Sequence, residues 1–114
     1  SDKEGKKEEA LGYFKKAIEL KPDYADAYIN IYRLIISEEE KINKEMEGLT
    51  DFDKYDELQA KKKDIYKRGL PYLEKADSFK RTVETVKVLR SIYEILGNTE
   101  KAKEYDGILS KMQG

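Results

Sequence analysis

A spaced triplet constrains this chain more than any other feature. Ala10, Phe14 and Ala17 place small, large and small residues at offsets of four and three. The triplet returns as Gly69, Leu73 and Ala76, and in weaker form as Ala102, Asp106 and Leu109. Residues three and four apart share one face of a helix, and small residues on that face let a neighbouring helix come close. The second interval, from Gly69 to Ala102, is thirty-three residues, and a return near thirty-four is the mark of stacked helical hairpins. The first interval, from Ala10 to Gly69, is fifty-nine. One unit therefore carries an insertion of roughly twenty-five residues over a repeat of that length.

The punctuation agrees with an all-α reading of about five antiparallel helices. The first spans about Lys6 to Lys21 and stops at Pro22, which disfavours helix at the residue before it. A second runs from about Asp23 to Glu47, with Tyr24, Tyr28, Ile31, Ile35, Ile42 and Met46 on one face. Gly48 and Thr50-Asp51-Phe52-Asp53 form the turn, with Asp51 or Asp53 as N-cap. The third runs from about Asp53 to Ser78 through Pro71, where a kink is expected rather than a break because the apolar stripe keeps phase. Thr82 caps a fourth helix that ends at Gly97, and a fifth starts at Asn98 or Thr99 and reaches about Lys111. The distal halves of the second and third helices are expected to form a long two-helix arm.

At 114 residues the chain reads as one domain. Lysine and arginine number 23 against 24 acidic residues, so the net charge of −1 makes no electrostatic case for nucleic acid or an anionic membrane. Cysteine and histidine are absent. That removes thiolate nucleophiles, Cys/His metal sites and the usual base near neutral pH. No apolar run is long enough for membrane insertion. Cofactors, metals and catalytic residues are accordingly not expected.

The remaining charge clusters have plain readings. Glu38-Glu39-Glu40 fits a solvated helix face, and Asp51-Phe52-Asp53 fits capping better than a calcium loop. Lys61-Lys62-Lys63 is flanked by Asp64 and Asp56-Glu57 at helical spacings, so ordinary salt pairs are expected there. Most tyrosines are expected in the core.

These residues resemble the tetratricopeptide repeat (TPR), in which each repeat pairs two antiparallel helices. Ala10, Phe14, Ala17 and Pro22 are similar to the second-helix half of a repeat. Tyr28, Ile31 and Ile35 are similar to a first helix, with Tyr32 where a small glycine is usual. Gly69, Leu73 and Ala76 close that repeat, and Val86, Leu89, Tyr93, Gly97 and Ala102 resemble a last one, with Arg90 in the glycine place. The resemblance divides the chain into a half repeat at 5–22, an enlarged repeat at 23–79 and a terminal repeat at 82–113. Leu70 to Ala76, reading Leu-Pro-Tyr-Leu-Glu-Lys-Ala, is similar to a segment of bacterial exported TPR proteins, which implies a piece of a longer protein of the periplasm or cell envelope.

The resemblance implies a TPR-like α-α superhelix that holds a protein or peptide without catalysis. First-type helices line the concave surface of such arrays, which nominates Asp26, Asn30, Arg33 and Ser37 on one helix and Lys87 and Ser91 on another as the partner-binding face. The alternative is self-assembly. The opening helix has the character of one built to lie between two others, so Tyr13, Phe14 and Ile18 are expected to pair with a second copy in a homodimer.

Overall fold

The computed structural model describes residues 2–114, and among them the chain is helical throughout. Six helical segments follow one another: α1 Asp2–Leu20, α2 Ala25–Ile36, α3 Glu39–Met46, α4 Phe52–Phe79, α5 Val83–Ile95 and α6 Thr99–Gln113. The all-α class is as expected. The single helix expected over Asp23 to Glu47 is divided, however. Ser37 and Glu38 keep right-handed helical backbone angles, but the bonds around them tighten. Glu38 N–H donates to the Ile35 carbonyl at 3.3 Å and Glu40 N–H to that of Ser37, also at 3.3 Å. The Ser37 hydroxyl donates back to the Leu34 carbonyl at 2.6 Å. A short side chain that bonds its own backbone competes with the helical ladder at this point. The path stays helical, while the four-residue bonding pattern does not.

Cap chemistry sets the other ends. The Asp51 carboxylate accepts from the N–H groups of Asp53 and Lys54, at 3.0 and 3.2 Å. Thr82 Oγ1 accepts from Thr85 N–H at 3.1 Å. Gly97, at φ +78°, ends α5. Its N–H reaches the Glu94 carbonyl at 3.1 Å while that of Asn98 reaches Tyr93 at 2.8 Å, the paired bonds of a Schellman ending. The Asn98 side chain then accepts from Lys101 N–H at 3.1 Å and starts α6. α4 carries through Pro71 unbroken. Its 28 residues, at about 1.5 Å rise each, make a rod of about 42 Å. That length is close to the longest dimension of a slab measuring 43 × 38 × 18 Å.

Packing follows the chain. α1 lies on α2, α2 and α3 on α4, α4 on α5, and α5 on α6. The main core gathers Leu73, Val86, Leu89, Ile92, Tyr93, Ala102, Tyr105 and Leu109, with Ile29, Tyr32, Tyr66 and Leu70 packed against it. α2 and α4 run antiparallel. Tyr28 meets Phe79, Tyr32 and Ile36 meet Gly69, and Glu39 meets Tyr66. Gly69 is the close approach expected of a small residue there: a Cβ on it would stand 3.0 Å from Tyr32 Cδ1. The bulky residue at position 32 and the missing side chain at 69 thus fit one another. Ala76, expected at a second close approach, is fully buried.

Candidate functional site

α1 and α4 both pack against α2, and among the described residues they make at most slight contact with each other. A groove opens between them, over the end of α2 and over α3. One part, about 400 Å³, is lined by Glu4, Lys7, Glu8 and Leu11 of α1, Leu34 and Ile35 of α2, and Glu38 and Arg68. It continues into a larger cleft of about 620 Å³ that adds Ile42, Lys41 and Glu45 of α3 and Leu58 and Lys61 of α4. Leu11, Leu34, Ile35 and Ile42 are half-buried, so the groove has an apolar floor under a rim of both charge signs.

Two polar pairs fix the α3 side. Arg68 donates to both oxygens of Glu38, at 3.1 and 3.3 Å, and its Nε donates to Asp64 at 3.3 Å. The Tyr66 hydroxyl donates to the Glu39 carboxylate. These partners hold the protons where they are. Hydrogen bonding to Glu38 raises the Arg68 pKa, and burial followed by the bond to Glu39 raises that of Tyr66. Burial, with the charge of Glu39, pushes Tyr32 up to about 12. All three keep their protons at neutral pH, as any tyrosine or arginine does, and here act as hydrogen-bond donors or packed groups.

The acidic run is thus not a uniformly solvated face: Glu38 and Glu40 are exposed, but Glu39 is half-buried against Tyr66. The salt pairs expected around Lys61-Lys62-Lys63 also differ. Asp64 pairs with Arg68 and Glu57 with Lys54. Among the described residues the three lysines make no ion pair, because Lys54 and Arg68 reach the same carboxylates from the turns on either side. Of the tyrosines, Tyr93 and Tyr105 are buried, several are half-buried, and Tyr13, Tyr24 and Tyr55 are exposed.

The nominated concave residues do not form the groove. Asp26 and Arg33 are exposed, and they lie about half a helical turn from Ile35, at about 100° per residue. Asn30 is half-buried on the same side. Ser37 is spent on the Leu34 carbonyl and borders the larger cleft, and Asp26 borders a small cleft at the α1–α2 turn. Lys87 and Ser91 are exposed on α5. No hydrogen bond or ion pair joins these six among the described residues. Of the self-association residues, Phe14 and Ile18 are half-buried, whereas Tyr13 is 68% exposed. Leu20, one heptad along the same flank, is 81% exposed.

A second polar cluster lies away from the groove. The buried Asp77 carboxylate accepts from Arg81 Nε and Nη2 at 3.0 and 2.7 Å, with the Tyr105 hydroxyl 3.5 Å away. It ties the end of α4 to α6. The four-residue spacing of Asp77 and Arg81 is a signal visible in the sequence. The Tyr66–Glu39 pair, twenty-seven positions apart, has none, since only the register of α3 on α4 brings it together. No helix among the described residues is long and apolar enough to cross a membrane. No family model matches the chain, and no curated protein matches it significantly.

Proposed function

We propose that this chain is a non-catalytic scaffold of the TPR kind, and that a protein or peptide segment seats in the groove between α1 and α4. One observation carries the reading. Two helices stand apart over a half-exposed apolar floor of Leu11, Leu34, Ile35 and Ile42, which is where a third element can bury its own apolar face. The spaced triplets support the TPR kinship. The test compares partner capture by the wild type, by Leu11→Glu with Ile35→Glu, and by Arg33→Glu with Lys87→Glu, all confirmed as helical. Capture lost in the first variant and kept in the second supports the groove. The reverse pattern moves the site to the concave face.

A self-assembly reading has its own observation, the exposed Tyr13 and Leu20 on the outer flank of α1. Light scattering at micromolar concentration decides it. A dimer that becomes a monomer in Tyr13→Glu supports it, and a monomeric wild type removes it.

A further inference from the structure

We propose that α3 is a hinged part of the groove floor, a gate that opens from α4 as a unit while α4, α5 and α6 stay packed. Its purpose rests on the groove reading above; the opening itself does not. No residue of Glu39–Met46 is buried. Ile42, Met46 and the following Leu49 are half-buried, and α3 packs on α4, so these are the apolar residues the segment can offer to the docking. Beneath lies Leu58, 1% exposed, and one turn pair further Ile65, 3% exposed. The antiparallel register that sets Glu39 on Tyr66 carries Ile42 and Met46 toward Leu58, and Ile42 and Leu58 line the same cleft. A buried leucine therefore lies beside a helix whose own residues are at most half-buried.

Both ends of α3 suit a swing. At its start the helical ladder is already interrupted at Ser37 and Glu38. At its end Glu47 is extended and Gly48 sits at φ +70°. Between these points the segment is held by two side-chain tethers, Glu38 to Arg68 and Glu39 to Tyr66. The first is a surface pair, with both side chains nearly half exposed, and such pairs add little. Segments with few buried apolar contacts open at free energies well below global unfolding. Opening here would take Ile42 out of the floor and bare Leu58 and Ile65 of α4 in its place. A partner that touches those bared residues binds the open form better and shifts the population toward it.

Hydrogen exchange on the whole chain tests this without any partner. The expected result is measurable protection over 39–46 that is lost at least about tenfold faster than over 86–93. Tyr66→Phe combined with Arg68→Gln should speed the first segment by a further factor of about ten and leave the second within about twofold. Equal rates in the two segments, equal acceleration of both, or no protection at all over 39–46 would overturn the gate. Because the chain has no cysteine, a second readout is clean. The thiol of Leu58→Cys should react under native conditions well before that of Leu89→Cys, and simultaneous reaction overturns the proposal. If α3 opens as expected but groove variants leave partner capture unchanged, the gate stands and the groove reading falls.

Discussion

Single positions show how shape and conformation divide the work of a residue. Gly69 and Gly107 both sit inside helices, yet their surroundings are opposite. A Cβ at Gly69 would meet the Tyr32 ring at 3.0 and 3.3 Å, while one at Gly107 would meet nothing within 4 Å. Gly107→Ala should therefore raise stability by about 0.5–1 kcal/mol, since it removes backbone freedom from the unfolded chain at no steric cost. Gly69→Val should lower it by about 1–3 kcal/mol through overpacking. Urea titration of both variants checks the pair, and a Gly69 change that proves neutral would mean the Tyr32 ring has room to turn. The Asp77 cluster acts differently. Asp77→Ala strands the Tyr105 hydroxyl in the core and frees Arg81, whose side chain already has access to water. A loss of about 1–3 kcal/mol is expected. Titration at Tyr32 has a definite sign as well. Its folded pKa is about 12 against an ordinary 10, so the folded state holds the proton longer than the unfolded one. The stability this contributes is complete below pH 10 and is lost as pH rises from there toward 12. Denaturant midpoints should fall over that window, and Tyr32→Phe should flatten the decline.

Elements were legible where their ends carry their own chemistry. Asp51, Thr82, Gly97 and Asn98 each satisfy or release backbone groups within a few residues, so local reading placed those boundaries to within a residue or two. The division at Ser37 and Glu38 was not legible in the same way. A drop in apolar content there fits a long polar arm as well as a tightened turn, and what separates the two is the pairing of Glu38 and Glu39 with a distant helix. The groove was hidden for a similar reason. It depends on how far α1 and α4 stand apart across α2, and no spacing within either helix encodes that distance. Of the apolar residues that form its floor, Ile35 reads simply as a member of a core stripe and Leu34 as a residue that widens it. At this scale Pro71 offers a direct check. It is exposed inside an unbroken helix and costs one backbone bond to the Lys67 carbonyl. Pro71→Ala should raise stability by roughly 1–3 kcal/mol. No gain in the thermal midpoint would show that proline at this position is itself needed by the packing.

The whole molecule is uneven. Leu73 of α4 and seven buried residues of α5 and α6 form one cluster, whereas among the described residues α1 buries no side chain completely and α3 buries none. That gradient runs along the chain and has a kinetic meaning. Gly97 and Asn98 end one helix and begin the next with no slack between them, so the α5–α6 hairpin closes a short loop at small entropic cost and gains the main core in doing so. Folding should start there and spread toward the amino-terminal end, each helix docking on one already in place. Leu89→Ala should accordingly slow refolding, and Ile42→Ala should leave refolding unchanged while it quickens the loss of α3, as stopped-flow measurements on the two variants can tell. A chain emerging from a ribosome would then expose its least self-sufficient helices first and complete its nucleus last, so that α1 to α3 wait unsupported until α5 and α6 have been made.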